Sequence, residues 1–159
     1  AVPVLAQQAD GARPPAPGPA KRAVFAAGCF WCVEAAYEGT PGVLDVVSGF
    51  AGGTLANPSY EQVTAGGTGH YEVVQVTYDP ARIGYARLLE IYWRNVDPFD
   101  GGGQFCDRGD SYRPAIFAAD AAERQQAQAS MAALEKRLGK PFAVRILGPA
   151  QFYPAEEYH

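Results

Sequence analysis

Residues 26 to 34 read AAGCFWCVE, and their types invite chemistry. Two thiols, Cys29 and Cys32, bracket two large aromatics, Phe30 and Trp31, directly after a glycine. Upstream, the alternation in AVFAA (23 to 27) predicts a short buried strand that delivers the chain to Gly28 and Cys29. Downstream, FWCVEAAYEG fits a helix stopped by Gly39, with Pro41 beyond. A thiol at a helix start faces unpaired backbone N–H groups and the positive end of the dipole, and both favour thiolate. Cys29 is therefore the best-placed nucleophile, and Cys32, one turn on, could form a disulfide back to it.

Three readings of this pair stand side by side: a redox dithiol, half of a zinc site, or two small buried hydrophobes. Zinc needs a second ligand cluster, and Cys106, His70 and His159 are scattered along the chain. Bulky aromatics between the thiols would crowd an approaching protein disulfide. They suit a small apolar group such as a methyl, although core packing is the default role of a Phe and a Trp.

The elements that must hold these residues follow from periodicity and turn chemistry. VLDVVSGF (43 to 50) predicts a second strand, and YEVVQVTYD (71 to 79) alternates most cleanly of all. NPSYEQVTAGGTGH, between them, has turn residues at both ends and room for one helical turn. YARLLEIYWRNV (85 to 96) has helical spacing and stops before Asp97-Pro98. Residues 97 to 112 form a glycine-rich loop long enough to suspect function. RPAIFA predicts a strand, 120 to 138 a long amphipathic helix, and FAVRILG a last strand. This order predicts an α+β fold, a ferredoxin-like two-layer sandwich with helices on a mixed or antiparallel sheet.

Length and composition bound the rest. At 159 residues the sequence suits one domain, expected over 21–159. It is 48% hydrophobic and 19% charged, the balance of a globular protein in water. A net charge of −4 and a pI near 5.1 argue against nucleic acid, and no apolar run approaches membrane-spanning length. Three cysteines are too few and too odd in number for a disulfide framework. Residues 1–20, with Pro14, Pro15, Pro17 and Pro19, read as a disordered arm or a signal-peptide remnant. The remnant reading implies a periplasmic or secreted protein, the other a cytoplasmic one.

GCFWCVE strongly resembles the signature of the A-type peptide methionine sulfoxide reductases. The resemblance extends through PGV (41 to 43), SGFAGG (48 to 53), NPSYEQV (57 to 63) and GGTGHYE (66 to 72). It continues through VTYDP (76 to 80), QFCDRGDSYRPAIF (104 to 117) and FYPAEEYH (152 to 159). It implies reduction of methionine-S-sulfoxide, free or in proteins, with Cys29 attacking sulfur and passing through a sulfenic acid. It further implies Glu72 as proton donor, with Tyr60 and Tyr112 as hydrogen-bond donors to the sulfoxide oxygen. A carboxylic acid at 72 could donate only if desolvation raises its pKa. Phe30 and Trp31 would wall the methyl pocket, and Asp107 would orient substrate or a bridging water, unless it simply caps a loop turn. His70 is expected to fix the GTGH loop, and Glu34 reads as structural.

Departures from the family pattern are confined. Phe50 stands where Tyr is frequent, Tyr71 where Ala is common, and Phe105 and Cys106 replace Gly and Asn. Tyr71 adds bulk beside Glu72 that could reshape the pocket. Many members resolve the sulfenic acid with cysteines in a C-terminal tail, but no cysteine follows Cys106 here. Cys32 and Cys106 are the resolving candidates, Cys32 slightly favoured because it needs almost no movement, and an external thiol remains open. The resemblance implies no metal and no organic cofactor, a thioredoxin-like dithiol as electron donor, oxidised methionine as partner, and a monomer. Two other readings compete: a general thiol–disulfide oxidoreductase using Cys29 and Cys32, and a non-catalytic module that binds methionine or peptide.

Overall fold

The computed structural model describes residues 20–28, 30–104 and 107–155. Its frame is a strand–helix–strand, strand–helix–strand repeat. Strand β1 (Lys21–Ala26) leads into helix α1 (Phe30–Glu38) and strand β2 (Val43–Ala51). After a short helix α2 (Tyr60–Thr64) come strand β3 (Tyr71–Tyr78) and helix α3 (Tyr85–Arg94). A two-residue hairpin, β4 (Gly103–Gln104) and β5 (Asp107–Arg108), and a 3₁₀ turn (Asp110–Tyr112) precede strand β6 (Ala115–Phe117). Helix α4 (Ala121–Leu138) and strands β7 (Arg145–Leu147) and β8 (Phe152–Pro154) complete the described chain.

The main sheet runs β7-β6-β1-β3-β2-β8. Its central four strands, β6-β1-β3-β2, are antiparallel to their neighbours. In chain order they are fourth, first, third, second, which is the ferredoxin-like arrangement. Helix α4 then makes a crossover, so β7 pairs parallel to β6, and β8 closes the other edge antiparallel to β2. The sheet is mixed and the fold is α+β.

Period-two alternation splits β3 between two cores. Val74, Val76 and Tyr78 join the large core with Phe25, with Val33 and Tyr37 of α1, with Leu88, Leu89 and Tyr92 of α3, and with Ala127 of α4. Tyr71 and Val73 face the other way, into a smaller cluster with Ala26, Ala51, Ala115 and Phe117. All three long helices therefore cover one face, which makes two layers. Phe25 sits at the centre of the large core, stacked on Tyr37, Tyr85 and Tyr92 at ring separations of 5.4, 6.0 and 5.4 Å. The buried hydroxyls of Tyr37 and Tyr92 donate to the carbonyls of Leu88 (2.9 Å) and Ala26 (2.7 Å). Burial of a phenol is thus compensated by a main-chain acceptor.

Helix α4 departs from the sequence expectation. Its apolar residues are scattered around its circumference, and only Glu123 and Ala127 are buried. Caps hold it instead: Asp120 accepts from the Glu123 amide at 2.8 Å, and Gly139 (φ 71°) ends it. Trp93 Nε1 donates to Ser130 Oγ at 2.6 Å, and Met131 is half-buried against the large core. Strand β8 was not expected from the sequence, and the glycine-rich loop contains the β4–β5 hairpin.

Candidate active site

Strand β1 carries the chain toward position 29 along a fixed register. It pairs with β3 from Lys21↔Tyr78 to Phe25↔Val74. Carried two residues further, that register sets Glu72 level with Ala27. On its other side β1 ends at Ala26↔Ala115, so the residues just before β6 stand at the same end of the sheet. The next residue, Gly28, has φ +84°, a left-handed conformation open mainly to glycine. A Cβ there would stand 2.5 Å from Cβ of Gln104. Gln104 is itself buried and tied down: its Oε1 accepts from the Asp97 amide at 2.6 Å, and its Nε2 donates to the carbonyls of Asp97 and Gly103, both at 2.8 Å. The glycine-rich loop is thereby packed against the turn that presents position 29. Sequence reasoning missed Gln104, and no local pattern marks it.

Cys29 and Cys106 lie outside the described residues. The backbone of Phe30, Trp31 and Cys32 belongs to α1, which begins immediately after Cys29, and that of Asp107 to β5. The side chains of these four lie outside the description.

Three predicted residues do come together, and they arrive from separate elements. Tyr112 closes the 3₁₀ turn before β6, Tyr60 opens α2, and Glu72 is the second residue of β3, 3% exposed on the helix-covered face. The Tyr112 hydroxyl shares side-chain hydrogen bonds with both Tyr60 and Glu72. Burial first, then the Glu72 charge and the bond with Tyr60, push the Tyr112 phenol far above its ordinary range. Tyr112 is therefore held protonated, as a donor.

Each of the three is fixed locally. Helix α2, five residues long, is too short to stand on propensity alone. A capping box secures it: Gln62 N donates to Ser59 Oγ (3.1 Å), and Ser59 N donates to Gln62 Oε1 (2.8 Å). The Ser-x-x-Gln spacing was a legible signal for that start. Val63 of α2 packs on Phe50, the β2 residue paired with Glu72, with Tyr60 against the same cluster. Phe50 is fully buried, a packing role. Ser48 Oγ donates to Glu34 Oε2 at 2.5 Å, linking α1 to β2, as the structural reading of Glu34 anticipated.

His70 fixes its loop as expected. The Gly53 amide donates to Nδ1 at 3.1 Å, and Nε2 donates to the Leu55 carbonyl at 2.7 Å, which defines one neutral tautomer. The idea that Tyr71 reshapes the pocket is not upheld. Alternation turns Tyr71 to the opposite face from Glu72, where it meets Phe117 edge-on and lies under the Arg113 guanidinium at 4.3 Å.

The sequence profile of the family described as peptide methionine sulfoxide reductase matches residues 21–159. This chain belongs to that family. The reductase is 56% identical over 138 residues to peptide methionine sulfoxide reductase MsrA 2 of Caulobacter vibrioides, covering 86% of this chain and 70% of that one. It is 50% identical over 141 residues to MsrA of Listeria innocua, covering 87% and 80%. Among solved structures, reduced Mxr1 of Saccharomyces cerevisiae aligns with a TM-score of 0.81 at 31% identity, covering 88% of this chain and 82% of that one. The activity of the reductase is that of its family, reduction of a methionine sulfoxide to methionine.

Proposed function

We propose that the reductase acts on the S epimer of methionine sulfoxide with Cys29 as nucleophile and the Tyr60–Glu72–Tyr112 cluster as the receiver of the sulfoxide oxygen. The observation that carries this reading is the hydrogen bonding of Tyr112 to both Tyr60 and Glu72, at the end of the sheet where β1 delivers the chain to position 29. Cys29 thiolate attacks the sulfoxide sulfur while Glu72 gives a proton to the oxygen, and the tyrosine hydroxyls donate to that oxygen as charge builds on it. The S–O bond breaks and the protonated oxygen departs as water, leaving the Cys29 sulfur bonded to the substrate sulfur. Water then attacks the Cys29 sulfur, the sulfur–sulfur bond breaks, methionine leaves as the thioether, and Cys29 is left as a sulfenic acid.

A second thiol then attacks the sulfenic sulfur, a disulfide forms and water departs, so both electrons come from thiols. Cys32 and Cys106 are the internal candidates. A dithiol protein of the thioredoxin type would reopen the disulfide by exchange. Phe30 and Trp31 would wall the methyl site, and Asp107 would orient the substrate.

Single-turnover reduction of a methionine-S-sulfoxide peptide, followed by thiol counting and disulfide mapping, tests the scheme. One methionine per enzyme, with Cys29 joined to Cys32 or Cys106, is the expected result. Methionine formed with every thiol intact in a Cys29→Ser variant would remove Cys29 from its role. No methionine from the S epimer by folded, reduced protein would sink the scheme as a whole.

A further inference from the structure

Tyr71 and Glu72 open β3, and Tyr112 and Arg113 stand just before β6. In the sheet β1 lies between these two strands, and its pairing ends at Phe25↔Val74 on one side and Ala26↔Ala115 on the other. Residues 71–72 and 112–113 thus lie past the last rungs of β1, where the chain turns away at Gly28. Two side-chain contacts join them there. On the helix-covered face Tyr112 shares a hydrogen bond with Glu72. On the opposite face the Arg113 guanidinium lies 4.3 Å from the centre of the Tyr71 ring.

Local backbone chemistry produces this double contact. Alternation along β3 sends Tyr71 and Glu72 to opposite faces. Arg113 precedes Pro114, which keeps it extended (φ −68°, ψ 141°), so its side chain leaves on the side away from Tyr112. The Tyr71 ring is hemmed in as well. It is 3% exposed, Phe117 meets it edge-on at 5.4 Å, and a Cβ on Gly52 would stand 3.2 Å from its Cδ1. A cation over such a ring is attracted more strongly than at an exposed site, because water is largely excluded. One bond between Tyr112 and Glu72 would let the two segments rock about it. A second contact on the far face fixes their tilt.

We propose that Tyr71 and Arg113 are positioning residues for the reductase reaction: their stacking holds Tyr112 and Glu72 at the spacing that receives the sulfoxide oxygen. They act from behind the sheet, away from the substrate. The proposal rests on the Tyr60–Glu72–Tyr112 cluster receiving that oxygen, and it names what holds the cluster in place. Donors that meet charge as it builds gain from being fixed beforehand, so loss of the clamp falls on the chemical step and hardly on substrate binding. Alanine, common at position 71 in the family, presents no ring to a cation. The clamp therefore belongs to this chain and not to the chemistry the family shares.

The test measures the single-turnover rate of methionine formation from N-acetyl-methionine-S-sulfoxide and the concentration that half-saturates it. The variants fall on Tyr71, because Arg113 has interactions besides this one. Tyr71→Leu keeps apolar volume without a ring face, and should slow the step about fivefold with half-saturation unchanged. Tyr71→Phe keeps the face and should stay within about twofold of the wild-type rate. Tyr71→Ala is the second variant, should the leucine fail to fold, and the same slowing is expected of it. In a Tyr112→Phe background, where no hydroxyl reaches Glu72 from position 112, Tyr71→Leu should add no more than about twofold. Wild-type speed for Tyr71→Leu, or equal slowing by Leu and Phe, would overturn the clamp. A loss of the same size in both backgrounds would overturn it too, since it would mark a general loosening of the fold. If Glu72→Gln and Tyr112→Phe leave the rate intact, the oxygen-receiving cluster falls first and the clamp with it.

Discussion

Cβ of Gln104 occupies the space that any side chain at position 28 would need, at 2.5 Å from where a Cβ would stand. The contact packs the glycine-rich loop directly against the turn before Cys29. Gly28 serves two ends there, a positive φ and a close approach.

Gly28→Ala should therefore cost about 1–3 kcal/mol of stability, from backbone strain and overpacking together. It should also slow methionine formation in a single turnover. Urea unfolding beside a quenched-flow assay checks both. An alanine variant as stable and as fast as wild type would mean that the turn adjusts without cost.

Glu72→Gln keeps shape but removes the transferable proton. Its kcat should fall by about 10²–10⁴-fold with little change in unfolding midpoint. Tyr112→Phe should cost less, about tenfold, because Tyr60 remains as a donor, and the Tyr60→Phe/Tyr112→Phe pair should lose more than the two singles combined. Steady-state rates on a sulfoxide peptide, with circular dichroism to verify folding, decide the matter.

Glu123 is 5% exposed, and burial raises its carboxyl above the ordinary value even though the Ala119 amide donates to it at 2.8 Å. A folded-state pKa above the unfolded one means that Glu123 favours the fold while protonated and loses that favour as pH rises through its folded pKa. Glu123→Gln keeps the acceptor for Ala119. It should therefore raise the melting temperature at pH 7, with the gain vanishing below about pH 4.5, where the unfolded carboxyl is also protonated. A gain independent of pH would point to packing and away from charge.

Alkaline behaviour should be abrupt. Burial raises Tyr37 and Tyr92 well above 10.0 and Tyr78 to about 12. Unfolded phenols ionise first, so stability should hold up to about pH 10 and then fall steeply as the unfolded state sheds protons that the fold retains. Urea midpoints against pH, read beside phenolate absorbance, should show the buried tyrosines titrating only as the protein unfolds.

Much of the fold was legible because its signals are local. The alternation in β3 marked its start at Tyr71 and its end to within one residue. Its period of two already turns Tyr71 and Glu72 to opposite faces, against the expectation that Tyr71 shapes the pocket. Strand β8 was invisible because its three residues carry no alternation and gain order only by pairing with β2, about a hundred residues earlier. The β4–β5 hairpin was hidden in the same way, two residues against two in a run of glycines. No spacing rule joins Tyr60, Glu72 and Tyr112, which meet only after α2, β3 and the 3₁₀ turn are folded. The family resemblance named them; periodicity could not.

Met131 is the sequence's single methionine, half-buried in the middle of α4. A repair enzyme works among oxidants, and exposed thioethers on its own surface would turn each copy into a client of the next. Half-buried within eighteen residues of regular helix, Met131 offers another copy's cleft less of its thioether than a methionine in an exposed loop would. The enzyme thus hardly competes with the damage it repairs, and its turnovers are left for other chains.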